Sequence, residues 1–367
     1  MCKRSITTLF FLLTVAFMSR GGQNDSVASS QSSTAWVKQL VANGFKINDP
    51  EIKYPRFPKF CVDVYNWGDR TFNSYDPDYV VGTGKNWKAI LKNTNWMQAY
   101  VMHFDDNSDL HIRSDINSDL GVNLCFMAVS VSYTANANRW FHSVVNPRKS
   151  FNFNFCCALF SANLHYNSHE GGARITKFGD YNGGRHMSMD FDGVKSRSLS
   201  GDAYYFFNHR RYSQAAAYCY SKYQLKSAGS WIVGFGFSHQ NIDLNFESLN
   251  PDMWQSLPSL MLKYDFHYAD YSLLGGYGYN WVLKPRKWLV NATILPSIGY
   301  KHSYEGATDG SKSMFAANIR AMFSVVYNHK SLFAALEGNM QGHFYISDAY
   351  VFYNSNQVLT LNVGVRF

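Results

Sequence analysis

Apolar and polar residues alternate one by one over long runs in the last third of the chain. In residues 332–346, Leu336 and Phe344 fall on one face of an extended strand, whereas Glu337 and Gln341 fall on the other. Strands of soluble sheets are usually about five or six residues long, so a run of this length is unusual. Long strands with one apolar and one polar face are typical of a membrane barrel with lipid outside and a polar lumen. The same alternation occurs at 288–301, 314–327 and 359–367.

Turn signals between such runs divide most of the chain into strands. We count about twelve strands, and the ambiguous segments allow between about ten and fourteen. The predicted fold class is all-β, a transmembrane antiparallel up-and-down β-barrel with a short N-terminal periplasmic segment. The predicted strands are 60–67, 95–106, 119–134, 150–166, 187–208, 214–226, 230–243, 268–283, 288–302, 313–328, 332–346 and 357–367.

Short and long connectors alternate in this part of the chain. The tight turns "KPRK" (284–287) and "NHKS" (328–331) alternate with the longer polar segments 302–313 and 347–357. Outer-membrane barrels have short turns on the periplasmic side and longer loops on the outer side. The pattern therefore predicts that the tight turns face the periplasm.

Aromatic residues flank the predicted tight turns. Trp281, Trp288 and Tyr327 lie close to these turns, and Phe367 ends the last strand on the same side. Trp and Tyr suit a membrane–water interface because each has an apolar body and a polar tip. We expect an interfacial girdle here, and we expect Phe367 to be the assembly signal that the barrel assembly machinery reads.

The N-terminal residues have the composition of a secretory signal peptide. Lys3 and Arg4 precede the apolar stretch 6–18, which is too short to span a bilayer. We predict Sec-type export with cleavage before Gln23. The predicted domains are a signal peptide over 1–22, a linker with a short periplasmic helix over 23–58 and an outer-membrane barrel over 59–367.

Composition and charge narrow the class of partner. Aromatic residues make up 17% of the chain and charged residues 16%, whereas about 25% charged is usual for soluble domains. Loss of Lys3, Arg4 and Arg20 with the signal peptide lowers the formal net charge from +8 to +5. The sequence has no dense run of Lys or Arg, so nucleic acid is not an expected partner. We expect a monomer in contact with outer-membrane lipid.

Five cysteines follow the predicted signal peptide: Cys61, Cys125, Cys156, Cys157 and Cys219. Their number is odd, the sequence has no C-x-x-C motif, and most of them lie inside apolar, strand-like runs. Disulfides do form in exported proteins, but this spacing is not that of a disulfide framework. We interpret the cysteines as small hydrophobic residues on strand faces.

Charged residues on the polar strand faces predict a network inside the barrel. We pair two strands about the tight turn with Tyr327 opposite Leu332. Arg320 then faces Asn339, and Glu337 is its diagonal neighbour, within reach of long side chains. Charges facing lipid would be costly, so this face is expected to line the lumen. The predicted network also includes Asn318, Gln341, Asn362 and Arg366. It would either fill and stiffen the barrel or form a path for a ligand or an ion.

Three stretches carry a resemblance to known proteins: "YDPDYVVGTGKNWK" (75–88), "YYFFNHRRYSQAAAYCYSKYQLKSAGSW" (204–231) and "YSLLGGYGYNWVL" (271–283). Together they resemble a family of outer-membrane barrel proteins of unknown function from the Bacteroidota. The resemblance extends over roughly residues 55–367. It implies a barrel fold and a membrane location, and it implies no substrate and no functional residues.

Residues that could carry chemistry are scattered along the chain. "DINSDLG" (115–121) offers oxygens at calcium-loop spacing, but the glycine and the final glutamate of that loop are replaced, so a polar turn is favoured. Candidate pieces of an enzyme site are His142 with Ser143, Asp265 with His267, and Asp348. Nothing in their spacing brings them together. We therefore predict no catalytic residue, no metal and no cofactor.

The sequence predicts a cell outer-membrane barrel of unassigned biochemical role. Twelve strands lie between small barrels filled by side chains and sixteen-stranded porins with an open channel. A narrow or plugged barrel with a structural, binding or limited transport role is favoured. The alternatives are a lipid- or envelope-modifying enzyme of the outer membrane and a passive channel for small solutes.

Overall fold

The computed structural model describes residues 35–43, 47–85, 87–126, 129–136, 149–303, 313–346 and 350–367. The chain divides into two units, Met1–Gly68 and Asp69–Phe367. Two α-helices precede the strands: α1 over Ala35–Ala42 and α2 over Arg56–Phe72. Among the described residues, no helix is long and apolar enough to cross a membrane.

The strand predicted at 60–67 is wrong, because this segment belongs to α2. Phe57, Phe60 and Val64 recur at the spacing of one helix face. Pro58 lies in the first turn of the helix, where its missing N–H group removes no intrahelical hydrogen bond.

Strands account for most of the remaining elements. They are β1 Val80–Gly82, β2 Trp87–Phe104, β3 Asp109–Ser114, β4 Asn117–Phe126, β5 Val129–Asn136, β6 Lys149–Cys156, β7 Phe160–Glu170, β8 Ala173–Phe178, β9 Met189–Phe191, β10 Val194–Phe206, β11 Lys222–Gln224, β12 Ala228–Asn245, β13 Lys263–Lys284, β14 Trp288–Ser303, β15 Ser313–His329, β16 Leu332–Ile346 and β17 Tyr350–Arg366. A 3₁₀ turn spans Tyr181–Gly184, a π-helical turn spans Ala215–Cys219 and a 3₁₀-helix spans Pro251–Ser256.

Twelve of the described strands form one continuous antiparallel wall. Their order around it is β5, β4, β2, β17, β16, β15, β14, β13, β12, β10, β7 and β6. The wall curls so that Cα atoms of its end strands, β5 and β6, approach within 8 Å of each other. Neighbouring wall strands run in opposite directions, which confirms the predicted up-and-down barrel.

The two rims of the barrel differ in their connectors. At the rim that we call the turn end, residues 285–287 join β13 to β14 and residues 330–331 join β15 to β16. The turn end also carries one long connector, residues 207–227, between β10 and β12. The opposite rim, the loop end, carries residues 171–193 and 246–262. Short connectors at one rim therefore face longer ones at the other, and the exceptions are 207–227 at the turn end and the three-residue link between Ile346 and Tyr350 at the loop end.

Side chains alternate between the outer surface and the lumen along each wall strand. In β17, Leu361 is 49% exposed, whereas its neighbour Asn362 is 1% exposed. In β16, Leu336 is exposed on the outer surface and Ala335 is buried. The exposed apolar side chains belong to the faces predicted to meet lipid, so the wall has the surface of a membrane barrel.

The last strand pairs with the first long strand within the wall. β17 pairs with β2 along its whole length, from Tyr350 opposite Phe104 to Arg366 opposite Lys88. Phe367 extends this seam, because its backbone exchanges two 3.0 Å hydrogen bonds with Trp87. The Phe367 side chain is 54% exposed on the outside.

The loop end is filled by an apolar cluster that we call the cap. The short strands β3, β8 and β9 extend the sheet from β2, and the 3₁₀-helix Pro251–Ser256 contributes Met253. Inward-facing aromatic rings complete the cap, with Phe266 and Phe352 stacked at 4.0 Å between ring centroids. The lumen therefore has no open mouth at this rim within the described part of the chain.

The turn end is filled by residues 207–227, which we call the plug. The strand predicted over 214–226 is wrong, because this segment forms the π-helical turn and the short strand β11. β11 pairs with β1 rather than with a wall strand. A run of three alanines, Ala215–Ala217, lies buried here, and these small side chains let the backbone turn fit inside the barrel.

Other strand boundaries also differ from the prediction. The single strands expected at 119–134 and 150–166 are the hairpins β4–β5 and β6–β7. The predicted loop 347–357 is mostly strand, because β17 begins at Tyr350. These segments alternate without strong Gly or Pro signals, so periodicity alone left the positions of the turns undetermined.

Candidate functional site in the barrel lumen

Tyr220 is the point where the plug is bonded most extensively to the wall. Its hydroxyl donates to the carboxylate of Glu337 and accepts from Nδ2 of Asn362 at 2.9 Å. Its backbone carbonyl accepts from Nε of Arg366 at 2.8 Å. Its ring packs on Phe333 with 4.8 Å between centroids. Two neighbouring wall strands, β16 and β17, therefore hold this one residue.

Arg366 is a buried cation that supports the same contact. Its side chain is 1% exposed, and its guanidinium also donates to Oδ1 of Asn328 at 2.6 Å. The guanidinium lies 4.4 Å above the ring of Phe333. A buried charge is tolerated when its hydrogen-bond donors are satisfied and it lies on an aromatic face.

Two further wall strands, β13 and β14, also bond to the plug. Asn280 of β13 donates to the carbonyl of Ser213 at 3.0 Å. Asn291 of β14 accepts from the hydroxyl of Tyr218 at 2.7 Å. Burial raises the pKa of the Tyr218 hydroxyl well above its ordinary value, so this group remains a neutral hydrogen-bond donor.

The wall is shaped to admit the plug. A Cβ atom on Gly278 of β13 would lie 2.6 Å from the hydroxyl oxygen of Tyr212, which is in the plug. Tyr212 is fully buried, and burial raises its pKa to about 12. Ala216 and Ala217 pack into a cluster with wall residues. Those wall residues include Leu289, Val326, Phe333 and Ala335.

A small cavity, which we call the chamber, is lined by both polar and apolar residues of the wall strands β10 to β16. Its volume is about 40 Å³, which is room for roughly three water molecules. The residues that line it include Ser200, Asp270, Ser297, Asn318, Arg320 and His343. The chamber is therefore sized for water or an ion rather than for a large substrate.

One side of the chamber is a satisfied ion pair. Arg320 of β15 donates to Asp202 of β10 and to the hydroxyl of Tyr204. Asp202 also accepts from Nδ2 of Asn163 at 2.6 Å, and its side chain is 1% exposed. Because the pair is buried and shares further hydrogen bonds, loss of either partner would leave an uncompensated charge.

The other side of the chamber is less satisfied. Nδ2 of Asn318 donates to Oδ2 of Asp270 at 2.7 Å. Oδ1 of Asp270, Oδ1 of Asn318 and Nδ1 of His343 are buried, and they have no hydrogen-bond partner within the described structure. Buried polar atoms are normally bonded, so these atoms fit bound water or a small polar guest.

The residues predicted from the sequence to form one network fall into two groups. The predicted register was wrong by two residues, because His329 rather than Tyr327 lies opposite Leu332. The hairpin turn contains two residues, Lys330 and Ser331, and not four. Ser324 therefore faces Glu337, and Arg320 faces Gln341. Glu337 and Arg320 are not diagonal neighbours across the two strands, as the prediction had required.

The predicted network residues lie either at the plug or at the chamber, except for Asn339. Glu337, Asn362 and Arg366 hold the plug. Asn318, Arg320 and Gln341 line the chamber. Asn339 is on the same lumen face, and its buried Oδ1 has no partner among the described residues. Phe367 is on the outer surface at the seam with β2.

Sequence reasoning missed Asp202, Asp270 and Tyr220. Asp202 comes directly before the run Ala203–Phe206 and Asp270 lies between Ala269 and Tyr271, and an acid beside such residues in a long strand is itself a signal for the lumen. Tyr220 carried no such signal, because its segment alternates like a strand. Only the strand pairing of the wall shows that this segment lies inside the barrel as the plug.

A second polar cluster lies at the loop end. Nε2 of His267 is 2.7 Å from Oδ1 of Asp243, and Asp265 brings a third ligand-type atom within 4.8 Å. The other candidate enzyme residues, His142, Ser143 and Asp348, lie outside the described residues. Of these candidate residues, the structure therefore brings Asp265 and His267 together, and Asp243 joins them.

The sequence model of the family described as "Domain of unknown function (DUF4421)" matches residues 74–367. The chain belongs to the DUF4421 family. The three stretches that carried the resemblance form the plug with its β1 partner and the β13 wall around Gly278. The DUF4421 match thus covers the barrel and the plug together.

Solved structures that resemble this DUF4421 chain are outer-membrane proteins. The outer-membrane protease OmpT from Escherichia coli is 8% identical with a TM-score of 0.34, and the match covers 78% of this chain and 98% of that one. The toluene transporter TodX from Pseudomonas putida is 10% identical with a TM-score of 0.24, covering 77% and 90%. No curated protein matches the sequence. These scores are too low to carry a mechanism, so the barrel assignment rests on strand pairing and burial.

Proposed function

We propose that this DUF4421 protein is an outer-membrane barrel whose lumen is closed at rest and whose role is structural or ligand-binding. The observation that carries the proposal is the plug. Residues of β2, β13, β14, β16 and β17 donate to or accept from it. A connector held from so many directions is part of the folded barrel rather than a loosely attached loop.

The cellular setting belongs to the same proposal. The outer surface is apolar over the long strands, and aromatic residues such as Trp281 and Trp288 are exposed near the turn end. These features support an outer-membrane location with the turn end in the periplasm. The proposal also includes export by a Sec-type signal, recognition of Phe367 by the assembly machinery, a monomeric state and a source in the Gram-negative Bacteroidota.

Limited transport is the second candidate, and the chamber favours it. Asp270, Asn318 and His343 leave unbonded polar atoms around a cavity that water or an ion fits. A barrel with a purely structural role would gain nothing from leaving these buried atoms unbonded. Passage of a solute would require the plug or the cap to move, so transport through this barrel would be gated.

Solute uptake by proteoliposomes tests whether the resting barrel is closed. The full chain is reconstituted beside an open porin as a positive control, and swelling is measured in isosmotic solutions of small sugars. We expect vesicles with this protein to swell no faster than protein-free vesicles. Swelling at the porin's rate would exclude the closed barrel and support the passive channel.

A further inference from the structure

One side of α2 carries large apolar side chains that are exposed. Four of them recur three or four residues apart, which places them on one face of the helix. We call this face the apolar row, and its members are Phe57, Phe60, Val64 and Trp67. Their exposed fractions are 67%, 63%, 46% and 58%, respectively. A surface helix normally turns such a row toward a core, so a row this exposed indicates a surface for a partner.

The charged residues of α2 lie on a different face from the apolar row. Nζ of Lys59 is 2.8 Å from Oδ2 of Asp63, one helical turn further on, and more than half of each side chain is exposed. The helix contains three basic and two acidic residues, so its formal net charge is +1. An apolar face beside a charged face is typical of a helix that lies in the plane of a membrane interface.

The end of α2 lies on the outer surface of the barrel at the turn end. The carbonyl of its last residue, Phe72, accepts a hydrogen bond from the Leu159 amide at 3.1 Å, in the turn between β6 and β7. The Phe72 ring packs on Phe160 with 5.7 Å between ring centroids. Phe160 pairs with Tyr205 of β10, which is 39% exposed on the outer surface. Directly opposite residues share a face of the sheet, so α2 ends among the outward aromatic side chains of this rim.

We propose that α2 lies in the membrane–water interface at the turn end and that phospholipid covers the apolar row. Two independent observations carry this placement. The row is exposed along the helix, and Phe72 fixes the end of the helix among aromatic side chains of the lipid-facing surface. A groove on another protein would account for the exposed row, but it would not account for the position of Phe72.

The driving force is the transfer of four apolar side chains out of water, because that stabilisation grows with the area buried. The net charge of +1 adds little, since salt screens the attraction between exposed charges and anionic headgroups. We therefore expect α2 to bind neutral phosphatidylcholine and to stay bound at high salt. This inference rests on the proposed outer-membrane location, in which the leaflet at the turn end is the periplasmic one.

Depth-sensitive fluorescence in vesicles tests the placement. The full chain, with its native cysteines replaced by serine, is refolded into phosphatidylcholine vesicles, and an NBD label is attached to the cysteine introduced by Val64→Cys. Asp63→Cys is the matched control, because it is the adjacent residue and lies on the charged face. Doxyl groups on the acyl chains quench labels in lipid, whereas iodide quenches labels in water.

We expect the doxyl groups to remove most of the fluorescence of the Val64→Cys label and little of that of the Asp63→Cys label, with the reverse order for iodide. High salt should leave this difference unchanged. Iodide quenching that is equally strong at both positions would place the apolar row in water and overturn the proposal. A Val64→Cys label shielded from both quenchers would show that protein covers the row, which would overturn the proposal equally.

A second pair of variants guards against a local effect of the substitution. Phe60→Cys on the apolar row and Lys59→Cys on the charged face repeat the comparison one turn earlier in the helix. Heat-modifiable gel migration reports folding of the barrel independently of the labels. A folded barrel with both row labels in water would overturn this inference alone, whereas a chain that does not enter the vesicles would contradict the membrane barrel as well.

Discussion

Tyr220 is the plug residue with the most extensive hydrogen bonding to the barrel wall. Its hydroxyl connects Glu337 of β16 with Asn362 of β17, and its carbonyl binds Arg366. Asn362 is buried and Glu337 is half-buried, and a polar group that loses its partner away from water retains the cost of its desolvation. The stability of the plug should therefore respond strongly to this single hydroxyl group.

Removal of that hydroxyl group is the first prediction. Tyr220→Phe should lower the free energy of unfolding by about 1–3 kcal/mol, because Glu337 and Asn362 each lose a buried partner. Tyr223→Phe is the matched control, since that hydroxyl donates to the Lys330 carbonyl at 3.3 Å at an exposed site and accepts a longer bond, 3.5 Å, from Arg366. Denaturant titration in lipid vesicles measures both variants. Equal losses would show that Tyr220 has no special role.

The direction in which side chains point is tested at two positions of β16. Leu336→Arg should cost roughly 2–4 kcal/mol of folding free energy, because the new cation would meet hydrocarbon near the bilayer midplane. Asn339→Arg should cost much less, since Asn339 lies on the lumen face with Glu337 and Gln341. The same titration compares them. A larger cost for Asn339→Arg would reverse the inside and outside assigned to this strand.

At the scale of elements, β17 and the plug show why the prediction was uneven. Residues 359–367 alternate strictly, so the outward Leu361 and the inward Asn362 of β17 could be assigned from the sequence alone. The plug segment also alternates, yet its alanines are buried within the lumen and its short strand pairs with β1. Periodicity reports which residues share a face, but it does not report what that face will contact.

Deletion of Phe367 tests the seam between β17 and β2. Phe367 exchanges two backbone hydrogen bonds with Trp87, so its loss removes the last contact of the pair formed by β17 and β2. We expect slower assembly and a lower membrane level of the truncated protein, with little effect on the unfolding of barrels already formed. Membrane fractionation with heat-modifiable gel migration measures this. Wild-type levels of folded protein would contradict the assembly role.

At the scale of the whole molecule, the barrel was predictable and its closure was not. Alternation, signal-like N-terminal residues and connector lengths were sufficient for a barrel of about twelve strands. The two groups of lumen residues depend on which distant strands face each other across the barrel. Arg320 meets Asp202 rather than a neighbour on β16, and no local spacing encodes that contact. The position of the plug depends on contacts of the same kind, so it could not be predicted from the sequence either.

Single-channel recording in planar lipid bilayers tests the central claim most directly. The wild-type chain is compared with a variant in which residues 208–226 are replaced by a Gly/Ser linker of equal length, and gel migration verifies that both fold. We predict that the wild-type barrel shows no steady conductance, whereas the variant conducts, because the plug no longer fills the turn end. A steady wild-type conductance equal to that of the variant would contradict a lumen closed by its own connector.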